Sequence, residues 1–146
     1  MRVQRPIIDC MPDIKRAVTI DGELMEPIFY KPVVVPKGWG EEVVIDNQPE
    51  YCGKLLKFKK GASFSGHIHI LKRESYLIFS GRLMLEYFNY ANADRKSREL
   101  NVGDCVHIPK GVFHKVTALE ESTIIEVSTH HYDEDNYRIE KGDSQK

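Results

Sequence analysis

Gly61-Ala62-Ser63-Phe64-Ser65-Gly66-His67-Ile68-His69-Ile70-Leu71-Lys72-Arg73-Glu74-Ser75-Tyr76-Leu77-Ile78-Phe79-Ser80-Gly81 is the most informative stretch of the chain. Successive side chains on a strand leave opposite faces, so His67 and His69 project from one face and their ring nitrogens can converge on a single ion. Glu74 follows after a short turn. If its strand runs antiparallel beside the first, the carboxylate returns to that face and adds an oxygen donor. A second stretch, Gly103-Asp104-Cys105-Val106-His107-Ile108-Pro109-Lys110-Gly111-Val112-Phe113-His114, reads as a strand, a tight Pro/Gly turn and a histidine that can supply a fourth donor from across a barrel. A lone histidine is more often structural than a ligand. Two on one strand face, a nearby glutamate and a third after a turn are an improbable coincidence among six histidines.

Outward from these stretches the chain reads as many short strands: Val33 to Val35, Glu42 to Ile45, Lys54 to Lys59, Phe64 to Ile70, Glu74 to Ser80, Arg82 to Phe88, Cys105 to Pro109, His114 to Ala118 and Thr123 to Ser128. Period-two alternation marks several of them, as where Leu56 and Phe58 oppose Lys57 and Lys59. Lys60-Gly61, Ser80-Gly81, Asn101-Val102-Gly103 and Lys110-Gly111 provide reversals that glycine makes without strain. Closely spaced strands with such turns predict an all-β sandwich or barrel. Residues 89–99 read as a polar loop, and Lys54, Lys57, Lys59 and Lys60 as a solvated face. A chain of 146 residues is one domain. Within it we expect an N-terminal arm or edge strands over 1–35, the barrel over 36–131 and a charged C-terminal tail over 132–146.

Composition narrows the function. With 21 Lys plus Arg against 22 Asp plus Glu, the formal charge is -1, and no basic surplus is available to neutralise nucleic-acid phosphates. No apolar run approaches the roughly 18 residues of a membrane span. No signal-like apolar stretch is evident, so a cytoplasmic location is expected. Cys10, Cys52 and Cys105 form no CxxC pair and read as reduced thiols, with Cys105 a small core residue.

The two stretches resemble the motifs of the cupin superfamily. The first motif, G-x5-H-x-H-x4-E-x6-G, is matched by Gly61, His67, His69, Glu74 and Gly81; the second, G-x5-P-x-G-x2-H-x3-N, by Gly103, Pro109, Gly111 and His114, with Ala118 in place of the last Asn. The resemblance implies a jelly-roll β-barrel, or double-stranded β-helix, of two antiparallel sheets. It also implies that His67, His69, Glu74 and His114 hold one divalent metal ion. Three imidazoles and a carboxylate leave positions open for water or substrate and suit Zn, Mn, Fe, Ni or Co.

Two weaker matches point within that superfamily. Lys37-Gly38-Trp39-Gly40-Glu41-Glu42 looks like the K-P-W-G-x-E entry strand of cupins related to type II mannose-6-phosphate isomerase, with Gly38 where proline is usual. The segment from Ile125 to Glu140 is similar to that family's closing strand, acidic stretch and late arginine. This likeness implies a sugar or sugar-phosphate substrate and aldose-ketose interconversion through a metal-stabilised cis-enediolate. Glu126, a carboxylate in an otherwise apolar strand, is then the candidate proton shuttle. Lys37 and Arg138 are candidates to hold a phosphate, and Tyr76 shares strand parity with Glu74 and can line the same cavity. His130 and His131 follow the last strand, where they reach the barrel mouth or face water. The same donor set also suits an Fe(II)-dependent dioxygenase, or a non-catalytic sugar-binding or sensing module. Single-domain members of the superfamily commonly dimerise, so a homodimer is expected.

Overall fold

The computed structural model describes residues 19–146, so Cys10 and most of the expected N-terminal arm fall outside the described residues. A two-residue hairpin, β1 (Thr19–Ile20) with β2 (Glu23–Leu24), precedes the main body. There follow β3 (Val33–Lys37), β4 (Gly40–Asn47), β5 (Cys52–Phe58), β6 (Gly66–Ile68), β7 (Glu74–Ser80) and β8 (Arg82–Asn89). The chain continues through β9 (Asp94–Asn101), β10 (Cys105–Ile108), β11 (His114–Ala118), β12 (Ser122–Ser128) and β13 (Tyr137–Glu140). These form a six-stranded sheet ordered β10-β7-β12-β5-β4-β3 and a five-stranded sheet ordered β13-β6-β11-β8-β9. Every pairing is antiparallel, and the two sheets enclose one core, giving the expected jelly roll.

The strands alternate as their sequences dictate. On β5 and β12, Leu56, Phe58 and Ile124 turn inward while Lys57 and Val127 face out. Each fully buried aliphatic or aromatic side chain of this kind contributes about 1.5–3 kcal/mol relative to exposure. Trp39 stacks on Phe58 with centroids 4.6 Å apart, so the aromatic of the entry strand caps one end of the core. Gly81 makes the β7–β8 reversal at φ 79°, and a Cβ there would meet Ser122 Oγ at 2.1 Å.

Four expectations are corrected. Residues 89–99 are loop only in part: residues 90–93 turn, and from Asp94 on β9 pairs along its length with β8 as the edge of the smaller sheet. Its run of charges hid it, since an edge strand solvated on nearly every position needs no alternation and uses charge to discourage further pairing. Lys54 is not part of a solvated face; it shares parity with Leu56 and Phe58 and is 3% exposed. Cys105 is exposed on edge strand β10, whose inward positions belong to Val106 and Ile108. Glu74 and His114 exchange the positions expected of them: β11 lies directly beside β6, with His114 opposite His67, whereas β7 belongs to the other sheet. The chain crosses between sheets at Ile70–Arg73, so the glutamate comes from across the barrel and the third histidine from next door.

Where the sequence suggested a charged tail, the chain is folded against the barrel. A 3-10 turn over Asp133–Asp135 leads into β13, which pairs with β6 and places Arg138 opposite His67. Beyond it, Asp143 accepts from the Ser63 amide at 2.7 Å. Gly38 explains itself here: its amide donates to Ser144 Oγ at 3.0 Å, and a Cβ would strike Asp143 O at 2.2 Å. Proline could neither donate nor fit.

Candidate metal centre

His67, His69, Glu74 and His114 are all buried, and one donor atom from each lies within 4.8 Å of the others. Two ligands on opposite sides of an ion at about 2.1 Å span roughly 4.2 Å, so the cluster has the dimensions of a coordination shell. Each imidazole is oriented by its second nitrogen. His67 Nδ1 faces Ser65 O at 2.7 Å, His69 Nδ1 faces Asp135 O at 2.7 Å, and His114 Nδ1 faces Val112 O at 3.0 Å. A backbone carbonyl only accepts, so each Nδ1 carries the proton and each Nε2 presents a bare lone pair to the centre.

Burial, together with the His114 and His69 rings, holds His67 well below the usual imidazole range. Burial and then Lys72 bring His69 down to about 4. Both are neutral at pH 7, the form that binds metal.

Glu74 Oε1 lies 2.7 Å from His114 Nε2 and 3.6 Å from His69 Nε2. With His114 protonated on Nδ1, its Nε2 and this carboxylate oxygen are two acceptors in contact, an arrangement that repels unless a positive charge lies between them. The donor chemistry therefore fits a divalent cation.

Behind the donors is a layer of charge that sequence reasoning missed in part. Lys72, 4% exposed, places Nζ 3.0 Å from Glu74 Oε2 and 3.4 Å from Glu126 Oε1. Burial opposes its charge, but Glu126 and Glu74 outweigh that and hold its pKa above the usual lysine value. Tyr76 donates to Glu74 Oε1 at 2.9 Å, and burial followed by the Glu74 charge keeps its hydroxyl protonated. Burial acts to raise Glu74, yet Lys72 leads the groups that bring it well below the carboxylate range. Glu126 moves the other way, to about 8: burial raises it, Lys72 opposes, and Glu74 adds like-charge repulsion. Its Oε2 has no hydrogen-bond partner among the described residues.

The cavity bounded by these groups is also lined by Trp39, Lys37, Lys54, His131 and Arg138. It adjoins a second cavity, with which it shares Lys37, Glu42, Lys54, His131, Asn136 and Arg138. Lys54 is committed to Glu42 at 2.8 Å, whereas Lys37 and Arg138 form no salt bridge among the described residues. His131 therefore does reach the cavity, held by Asp133 on Nε2 at 3.0 Å. His130 is turned away onto Gln48 O and Tyr132. Parity with Leu56 was a readable signal for Lys54; Lys72, in the crossover, offered none.

No protein-family model matches the sequence, and no curated protein matches it. Solved structures do. The capsular polysaccharide assembling protein CapF from Staphylococcus aureus superposes with TM-score 0.66 at 18% identity over 77% of this chain and 33% of its own. Oxalate decarboxylase of Lactobacillus farciminis gives 0.65 at 15% identity over 74% and 34%, and KdgF from Halomonas sp. gives 0.56 at 22% over 64% and 81%. The chain thus spans about a third of the first two proteins, 33% and 34% of their lengths. These likenesses show the fold: a cupin jelly roll.

Proposed function

We propose that this chain is a metal-dependent isomerase that interconverts an aldose and its ketose on a sugar or sugar phosphate. The observation that carries this reading is Glu126 Oε2, a buried carboxylate oxygen with no hydrogen-bond partner among the described residues, on the wall of the cavity that His67, His69 and Glu74 also line. An unpaired buried carboxylate is costly unless it serves a ligand.

A divalent ion held by the four donors supplies Lewis acidity toward neighbouring carbonyl and hydroxyl oxygens. Glu126 moves the proton between the adjacent carbons; an acid near neutral pH is suited to both giving and taking it. With a cation held by Glu74, the like-charge repulsion that raises Glu126 is offset, so the base form becomes accessible. Lys72 pairs with both carboxylates and holds them in place. Lys37 and Arg138, which form no salt bridge among the described residues and line both cavities, receive the phosphate, Arg138 through paired N–H donors. That CapF is a capsular polysaccharide assembling protein supports a carbohydrate ligand.

The test is proton exchange. The chain loaded in turn with Zn, Mn, Fe, Ni or Co is incubated with aldose phosphates in D2O, and deuterium at C2 is followed by NMR. Exchange that disappears in Glu126→Gln supports the reading. Oxygen consumption by the iron form without exchange would establish the dioxygenase instead, and sugar binding with neither would establish a sensor.

A further inference from the structure

We propose that Asp135 is the positioning residue of the metal centre, clamping the crossover that joins two of the donors; this rests on the metal-binding reading above. Asp135 arrives 66 residues after His69 in sequence, on the 3-10 turn that precedes β13, and is 1% exposed. Its carboxylate gathers three successive amides of the crossover. Oδ1 accepts from Ile70 N at 2.8 Å and Leu71 N at 3.0 Å; Oδ2 accepts from Leu71 N at 3.1 Å and Lys72 N at 2.9 Å. Its backbone carbonyl takes the His69 Nδ1 proton at 2.7 Å.

One residue thus grips the crossover twice. Through its carbonyl it fixes the tautomer and ring plane of His69, leaving Nε2 free for the ion. Through its carboxylate it sets the path of Ile70–Lys72, and so the origin of the Lys72 side chain that reaches Glu74 Oε2 and Glu126 Oε1. His69, Glu74 and Glu126 come from three strands or their ends, and Asp135 reaches all of them through a single loop. Packing alone does not require this. The far end of the crossover has its own anchor, Thr129, whose amide donates to Arg73 O at 3.1 Å and whose Oγ1 accepts from Arg73 N at 3.1 Å. A carboxylate that served only to close the loop would not need its own carbonyl on a donor imidazole.

The experiment is Co(II) titration of the full chain, followed by visible absorption, for wild type, Asp135→Asn and a control, Asp46→Asn. Asp46 is also a buried carboxylate, near the end of β4, accepting from Asn47 N, Gln48 Nε2 and Tyr51 Oη, and none of these partners is a metal-donor residue. Asp135→Asn keeps one acceptor oxygen and should fold. We expect it to weaken Co(II) affinity by about tenfold or more and to shift the ligand-field bands. The same variant should speed hydrogen exchange at the amides of residues 70–72 in the metal-free chain. Asp46→Asn, compared at equal loss of melting temperature, should leave affinity and bands unchanged. Wild-type affinity and bands in Asp135→Asn, or an equal change in Asp46→Asn, would overturn the clamp while leaving the metal site standing. A wild-type chain that takes up no Co(II) would overturn both.

Discussion

Glu74 Oε1 and His114 Nε2 face each other at 2.7 Å although their strands belong to different sheets. A cation bridging them would tie the two sheets together at the centre of the barrel, making metal binding a contribution to stability as well as to chemistry.

Metal should therefore stabilise the fold by mass action, by about 2.7 kcal/mol when free metal is 100 times the dissociation constant, and raise the melting temperature accordingly. His67→Ala should lower metal occupancy about tenfold or more and abolish that stabilisation. Metal analysis and thermal unfolding with and without chelator measure both. Unchanged occupancy in His67→Ala would dismantle the site.

Glu126→Gln keeps the shape of the buried side chain but removes its proton-transfer capacity. Turnover should fall by roughly 10²–10⁴ while metal content stays at the wild-type level. Parallel loss of metal would mean that Glu126 acts through Glu74 and not on substrate.

Lys54, buried, pairs with half-buried Glu42 at 2.8 Å, with side chains 4% and 18% exposed. Burial raises the Glu42 carboxyl, but Lys54 prevails and lowers it. Lys54→Met strands that charge and should cost about 3–5 kcal/mol. Adding Glu42→Gln should recover much of the loss, which a double-mutant cycle by denaturant unfolding reads directly.

Glu140 ties β13 to β9 and β11 through Arg95 and Lys115. The Arg95 hydrogen bond, against the opposing effect of burial, brings its carboxyl from 4.5 to about 2. A depressed folded-state value means the stabilisation is complete above about pH 4.5 and disappears as pH falls through about 2. The groups are partly exposed, so the contribution is under about 1 kcal/mol and salt-sensitive. Glu140→Gln should melt below wild type at pH 7 and together with it at pH 2; a constant gap across that range would refute the ion pair.

Gly38→Pro restores the residue usual in the resembling entry motif and should nonetheless destabilise. It deletes the donation to Ser144 Oγ and drives a ring into Asp143 O. A loss of about 1–3 kcal/mol is expected in thermal unfolding, whereas neutrality would show that residues 142–146 do not rest on this turn.

The donor residues were legible because strand periodicity is local: His67 and His69 must share a face wherever their strand lies, and glycine-marked reversals delimit the strands around them. Tyr76 followed from the same parity, and Glu126 from being a carboxylate in an otherwise apolar strand. Strands β9 and β13 escaped notice because solvated edges carry no apolar alternation, and Lys54 because its cluster of lysines suggested solvent although its parity with Leu56 pointed inward.

By itself, the sequence determined that the chain is built of short strands and that three histidines and a glutamate are its chemically distinctive donors, since these depend only on neighbours along the chain. Only the tertiary structure decided that Glu74 reaches the histidines from the opposite sheet, that Lys72 is buried between two carboxylates, and that Asp135 returns from the far end of the chain to hold the crossover. Those relations depend on which strands pair and where the chain changes sheets. No local spacing encodes that choice, because it is settled by burying all the apolar faces at once.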